Sequence, residues 1–266
     1  MFDRFNRKIN YLRISVTDRC NLRCKYCMPE DNVRFYKPGE ILSYEEIREA
    51  VKVAVDLGID KIRLTGGEPL VRQDIVELVR MIASVPGIKD LALTTNGLLM
   101  EEFALPLAQA GLKRINVSLD TLDPEKFSAL TRGGNLNQVF AGIDAAKRAG
   151  LMPIKVNCVI KSDMQEPDAL AVREFCLKMG LEGRFIKQMD LQNGQFEVVN
   201  GGSGGDCASC NRLRLTSNGM VKPCLFSNEE FSIRELGVRQ AIECALNVKP
   251  AKGFKNLHNC FHNIGG

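Results

Sequence analysis

The 266-residue sequence has no apolar run near the roughly 18 residues that a membrane span requires, which excludes a transmembrane helix. Its opening residues, MFDRFNRKIN, lack the apolar core of a secretory signal, so a cytoplasmic location is expected. It also lacks a marked charge excess. With 36 basic against 32 acidic residues the net charge is +4, too small to require a nucleic-acid partner. No G-x-G-x-x-G follows the first candidate strand, which disfavours a dinucleotide-binding Rossmann unit. What is present is a 45% apolar fraction, enough for a sizeable core in one large domain or two small ones. Ten cysteines stand out beside it. In a reducing cytosol, thiols in that number point to metal ligation rather than to disulfides.

Six of the ten fall into two groups. Cys20, Cys24 and Cys27 form C-x3-C-x2-C within TDRCNLRCKYCMPE, and Cys207, Cys210 and Cys224 form C-x2-C-x13-C. Cys158 and Cys176 sit in apolar or helical sequence and read as small buried hydrophobes. Cys244 and Cys260 remain candidates for a fourth ligand to the second group. His258 and His262 flank Cys260 and read mainly as part of a polar tail.

Apolar strand candidates lie at 10–16, 61–65, 90–94, 114–119, 153–160 and 184–189, and helical periods separate them. The clearest helix runs from about Ser43 to Leu57, with a Ser43–Glu46 capping box and an apolar stripe of Ile47, Ala50, Val51 and Ala54. Others start near Asp74, Glu101, Leu136 and Glu166, and Pro106 marks a kink or a late start in the third. Gly58, Gly87, Gly111, Gly150 and Gly180 are placed to stop these helices. Six strands alternating with five helices predict an α/β fold, a parallel sheet curled into a partial (β/α)6 TIM-type barrel. The alternation ends near residue 190, so a barrel over 1–190 is expected to precede a C-terminal iron–sulfur cluster module over 191–266. Polar clusters such as Thr65-Gly66-Gly67-Glu68-Pro69 and Thr94-Thr95-Asn96-Gly97 mark the strand ends, where such barrels place their active sites.

Three cysteines within eight residues suit one face of an iron–sulfur cubane, with the fourth iron open to a small molecule. A structural zinc would ask for four protein ligands. With Tyr26 before Cys27, and Gly66-Gly67-Glu68-Pro69 after the second strand, the pattern resembles the radical S-adenosylmethionine (SAM) superfamily. That resemblance implies a 4Fe–4S cluster on Cys20, Cys24 and Cys27 and SAM as co-substrate. Tyr26, Gly67, Glu68, Thr94, Ser118, Arg184 and Met189 become its binding candidates. Glu68 would accept from the SAM ammonium, and Thr94, Ser118 and Arg184 would meet its carboxylate. Taken alone, Thr94 and Ser118 also read as helix caps. Gly66 and Gly67 read as a place where backbone approaches a ligand closely.

The string from Cys207 through Cys210-Asn211-Arg212-Leu213-Arg214 to Cys224, with the terminal Gly265-Gly266, resembles the MoaA family of GTP 3′,8-cyclases. The resemblance implies a second 4Fe–4S cluster on Cys207, Cys210 and Cys224, whose free iron binds guanine. It also implies cyclisation of GTP to 3′,8-cyclo-7,8-dihydro-GTP in molybdenum cofactor biosynthesis. Arg212, Arg214, Gly265 and Gly266 are then the catalytic candidates. Arg13, Lys61, Arg63, Thr65, Lys155, Arg212 and Arg214 become GTP contacts. Arginine forks and lysine point charges are the side chains that hold a triphosphate. The implied partners are GTP, an electron donor such as flavodoxin or ferredoxin, and a downstream cyclic pyranopterin synthase. Neither nucleic acid nor membrane belongs to the picture, and a homodimer is compatible with it.

Between Met189 and Cys207 only 17 residues remain, DLQNGQFEVVNGGSGGD, several dozen fewer than the family pattern. The segment is either a compact natural variant or a linker replacing a loop. An alternative is therefore kept: a related radical SAM enzyme acting on another nucleotide or a peptide, with the second cluster as an electron relay. Anaerobic reconstitution of the full chain should load about eight irons, two cubanes' worth, and give a brown chromophore. Zinc at either triad would contradict this in a metal analysis.

Overall fold

The computed structural model describes residues 1–28, 33–189 and 196–254. Cys260, His258, His262, Gly265 and Gly266 lie outside the described residues, as do Asp190 and its five successors. Six strands, β1 (Tyr11–Ser15), β2 (Lys61–Thr65), β3 (Asp90–Thr95), β4 (Arg114–Ser118), β5 (Lys155–Ile160) and β6 (Glu182–Lys187), follow one another in parallel across one sheet. On the other side of β1 lies β7 (Arg212–Leu215), also parallel to it. The antiparallel strands β8 (Met220–Lys222) and β9 (Phe231–Ser232) finish the sheet. The ends are β6 and β9, so the barrel is open rather than closed. The sheet runs without a break across the boundary expected at residue 190, because β7 adds directly to β1.

Helices α1 (Tyr44–Asp56), α2 (Ile75–Ala83), α3 (Met100–Gln109), α4 (Pro124–Thr131), α5 (Leu136–Arg148) and α6 (Pro167–Met179) make the crossovers between β1 and β6. α7 (Ile233–Leu236) and α8 (Val238–Asn247) follow β9. The expected capping box is formed: Glu46 N donates to Ser43 Oγ at 3.1 Å, and Ser43 N donates to Glu46 Oε2 at 2.7 Å. The five expected helix-stop glycines all take left-handed φ values, from 65° to 103°. Pro106 lies inside α3, which already begins at Met100, so it does not mark a late start. Among the crossover helices, one was not expected from periodicity, and α7 and α8 were not expected either. α4 is short, and its signal is local: Asp123 Oδ1 accepts from Glu125 N and Lys126 N, with Pro124 at the first helical position.

Strand alternation divides the sheet into two faces. One face, with Leu12, Ile14, Ile62, Leu64, Leu91 and Leu93, is buried against the helices. The other carries Arg13, Arg63, Thr65, Thr94, Ser118 and Asn157 toward an internal cavity system. β1 is the strand shared by both halves of the sheet, so its packing matters most. Ile14→Ala, at a fully buried site, should destabilise the protein by about 2–5 kcal/mol. A lowered urea midpoint for apoprotein would register it.

Candidate functional site

The loop after β1 carries the first three cysteines and is fastened on two sides. On one side Gly67 N donates to Thr17 O at 2.7 Å and Glu68 N to Arg19 O at 2.8 Å. A Cβ on Gly67 would lie 2.3 Å from Arg19 O, and one on Gly66 would lie 2.6 Å from Thr17 O. The closest approach these glycines permit is thus to the cysteine loop itself, although both also line the cavity. On the other side, Arg23 N and Lys25 N donate to Thr131 O and Leu130 O at the end of α4. Arg132, in left-handed conformation, donates to Arg23 O at 2.9 Å. α4 is therefore the platform of the cysteine loop.

Cys20, Cys24 and Cys27 open together on a cavity of about 210 Å³ at the C-terminal ends of the strands. Tyr26, Gly67, Glu68, Thr94, Ser118, Met189 and Thr65 line the same space. Burial, reinforced by Cys27 and Cys20, pushes the Cys24 thiol up to about 12, the signature of thiols gathered without a counter-charge. Glu68 is buried and accepts from Leu70 N, Thr95 Oγ1 and Asn96 N at 3.1, 2.8 and 2.7 Å. Burial still holds its carboxyl up at about 7, so a cationic ligand would favour its ionised form. Thr94 and Ser118 cap no helix, since Leu99 and Asp123 occupy the cap positions of α3 and α4. Among the described residues Thr94 Oγ1 is buried without a hydrogen-bond partner, a donor and acceptor left for a ligand. Tyr26 Oη donates to Asp120 Oδ2 at 2.8 Å, and Val159 N donates to Asp120 Oδ1 at 2.7 Å.

Asn157, Ile186 and Met189 line this cavity and also a second one of about 420 Å³, deeper along the strands. There the sheet register sets Arg214, Arg13 and Arg63 side by side on β7, β1 and β2. Adjacent strands are about 4.8 Å apart, and like charges directly opposite one another repel. Burial is the largest influence on all three, pulling Arg13 down to about 9 and Arg63 and Arg214 to about 10. The Arg13 guanidinium is lowered further by Arg214. Lys61, Lys155, Arg184 and Arg212 line the same cavity. Lys155 is 3.2 Å from Glu182, and Arg184 lies 3.9 Å from the same carboxylate. Among the described residues Arg63 makes no ion pair, and its Nε is buried without a partner.

The second triad begins beside this cavity. Cys210 precedes β7, Cys224 follows β8, and Cys210 N donates to Cys207 O at 3.3 Å. Arg214 lies beside both Cys224 and Cys210, and burial raises the Cys224 thiol. Among the described residues no three His, Cys, Asp or Glu side chains are grouped as a single metal ion would require. The first triad lies on one loop after β1, whereas the second is divided between the segment before β7 and the turn after β8.

A family model described as the radical SAM superfamily matches residues 14–175. The GTP 3′,8-cyclase of Thermodesulfovibrio yellowstonii is 41% identical, with 94% of each chain covered. That of Geobacter sulfurreducens is 38% identical, covering 100% of this chain and 99% of its own. The chain belongs to the GTP 3′,8-cyclase family of the radical SAM superfamily. A second family model, Molybdenum Cofactor Synthesis C, matches residues 182–252 and takes in the second triad. Membership of the superfamily implies a 4Fe–4S cluster and SAM, and the three thiols, Glu68 and the open Thr94 hydroxyl fit them.

Solved structures of lower identity share the fold. Streptococcus suis SuiB bound to S-adenosylmethionine has a TM-score of 0.67 at 18% identity, covering 86% of this chain and 64% of that one. Methylornithine synthase (PylB) has a TM-score of 0.58 at 18% identity, covering 91% and 71%. Among the described residues no helix is long and apolar enough to cross a membrane.

The Geobacter sulfurreducens alignment spans 324 positions and the whole of this 266-residue chain, so some 58 positions have no counterpart here. In the short segment before Cys207, Phe196, Val199, Ser203 and Gly204 form cavity wall. Gly201 and Gly205 have φ of 81° and 84°, and a Cβ on either would lie 2.4 or 1.9 Å from a backbone oxygen. Val199 N donates to Gly204 O at 2.8 Å, and Phe185 and Asn200 exchange backbone bonds at 3.0 Å. The glycines make a fitted turn against β6 rather than a slack linker.

Sequence reasoning missed Tyr11, Arg114, Asn116, Asn157 and Asp120. All five sit on strands or strand ends at inward positions, so alternation was the available signal. Arg114 forks onto Asp90, with Nε–Oδ1 at 2.9 Å and Nη2–Oδ2 at 2.5 Å. Gly67→Ala should force the β2 loop off the cysteine loop. Reconstituted variant should then load about four fewer irons than the parent protein, one cubane's worth, as iron analysis would show.

Proposed function

We propose that this chain cyclises GTP to 3′,8-cyclo-7,8-dihydro-GTP for molybdenum cofactor biosynthesis. The observation that carries the reading is the in-register row Arg214–Arg13–Arg63, facing a cavity that shares Asn157, Ile186 and Met189 with that of the first cysteine triad. A row of guanidinium groups along a cavity wall suits an anion of comparable extent, such as a triphosphate. Family membership supports the same substrate, since the relatives are named GTP 3′,8-cyclases.

Cys20, Cys24 and Cys27 would hold a 4Fe–4S cluster, which when bound supplies the electron for reductive cleavage of SAM and so the radical that removes the ribose 3′-hydrogen. Glu68 and Thr94 would bind the SAM amino acid group, with Tyr26, Gly67, Ser118 and Met189 around it, while Arg184, expected there, lines the deeper cavity instead. Arg13, Arg63, Arg212 and Arg214, with Lys61, Lys155 and Thr65, would hold the nucleotide. Its ribose would face the junction lined by Asn157, Ile186 and Met189. Cys207, Cys210 and Cys224 would hold a second cluster that takes the guanine, on a module (191–266) built onto the same sheet as 1–190. Gly265 and Gly266 complete the catalytic candidates with Arg212 and Arg214. The protein positions the ribose and keeps water from the radical.

Chemically, one hydrogen leaves C3′, a C3′–C8 bond forms, and one electron and one proton return to the purine. The product is therefore an isomer of GTP. The electrons come from a donor such as flavodoxin or ferredoxin, and the product passes to a cyclic pyranopterin synthase. The enzyme works in the cytoplasm, as a monomer or a homodimer.

Incubation with SAM, reductant and GTP should yield a new nucleotide of GTP's mass and a different retention time, together with 5′-deoxyadenosine. SAM cleavage with GTP unchanged would remove GTP as substrate and leave the family standing. Arg63→Ala should weaken GTP binding about 10- to 150-fold, equivalent to the ~1.5–3 kcal/mol of a charge-assisted contact. Arg212→Ala should abolish cyclisation while SAM cleavage persists.

A further inference from the structure

Lys249 is 1% exposed and lines neither cavity, yet it lies between the two cysteine-bearing segments of the second triad. Its Nζ donates to Arg212 O, two residues beyond Cys210, and to Pro223 O, immediately before Cys224, both at 2.7 Å. Burial pulls its ammonium below the usual lysine range, and the neighbouring Cys210 and Cys224 oppose that by favouring the charged form.

Arg7 makes a matching clamp from the N-terminal segment. It donates to Cys207 O and Pro250 O at 2.7 Å and to Ala251 O at 3.2 Å. The two cations differ in one respect. Asp3 neutralises Arg7 at 2.6 Å, whereas among the described residues Lys249 has no carboxylate partner. Two carbonyls satisfy its donors but do not balance its charge, and a buried ammonium without a counter-ion is strongly unfavourable. The balancing anion must come from the thiolate side.

We propose that Lys249 is the fixed counter-cation of the second cluster, a positioning residue that joins the Cys210 and Cys224 segments and raises the cluster's reduction potential. A cubane on three thiolates carries net negative charge and gains one more on reduction. A cation and an N–H···S bond beside it favour the reduced state. Arg7 then has the mechanical half of the task, holding Cys207 to the segment that carries Lys249.

The inference rests on the reading of the second triad as cluster ligands. Potentiometric titration of reconstituted holoenzyme, followed by the spectroscopic signal of the second cluster, tests it. K249Q keeps a hydrogen-bonding group and removes the charge. It should retain both clusters and show a more negative second-cluster potential, by about 59 mV or more for a tenfold change in a one-electron equilibrium. K249R should stay close to the parent protein. Selective loss of the second cluster in K249Q but not in K249R, with the first cluster and SAM binding kept, would also support the assignment, and its loss in both would overturn it. An unchanged potential in K249Q, or equal loss of both clusters in K249Q and K249R, would overturn it. A parent protein that holds only one cluster would instead remove the reading of the triad.

Discussion

The pairing of β7 with β1 is the constraint on which the other features of the site depend. Parallel and in register, it places Arg214 opposite Arg13 and Arg212 opposite Tyr11. It thereby carries the Cys207–Cys224 region to the deeper cavity, which shares Asn157, Ile186 and Met189 with the one the first triad opens on. The pairing is electrostatically unfavourable at Arg13 and Arg214, and β2 adds Arg63 to the same row. Backbone bonds and the buried apolar face of the same strands hold it together. Tyr11 eases the crowding, since Arg63 and Arg212 lie 5.5 and 5.6 Å from its ring centroid.

The same alternation that builds the core builds the site. Ile14, Leu64 and Leu93 face the helices while Arg13, Thr65 and Thr94 face the cavity, so stability and chemistry occupy opposite sides of one layer. Loops then add what strands cannot. The cysteine loop lies flat against β2 only because Gly66 and Gly67 leave room for its backbone, and α4 closes it from the other side. The compact turn through Gly201 and Gly205 supplies part of the deeper cavity's wall, with Ser203 Oγ 3.4 Å from Arg212 Nη2.

Much of this was legible in the order of residues. Local rules placed six parallel strands, the Ser43–Glu46 box and the five glycine stops, because each depends on a few neighbouring residues. The cysteine spacings and the Gly66-Gly67-Glu68-Pro69 string are equally local. α4 escaped because eight residues are too few for a clear period, although Asp123-Pro124 announced its start. Thr94 and Ser118 read equally well as caps, and only the positions of Leu99 and Asp123 separated the two meanings.

The sequence by itself determined the first triad's chemistry, the order of the six parallel strands and the family, since all are written in short contiguous strings. Tertiary structure decided which cations stand together. Arg13, Arg63 and Arg214 are as much as 201 residues apart in the chain and become neighbours only through register. It also decided the direction of the glycine approach, the fitted turn before Cys207 and the burial of Lys249 beside Cys210. The physical reason is common to all four: each is a contact between distant segments, and a one-residue shift of β7 would turn its arginines to the other face.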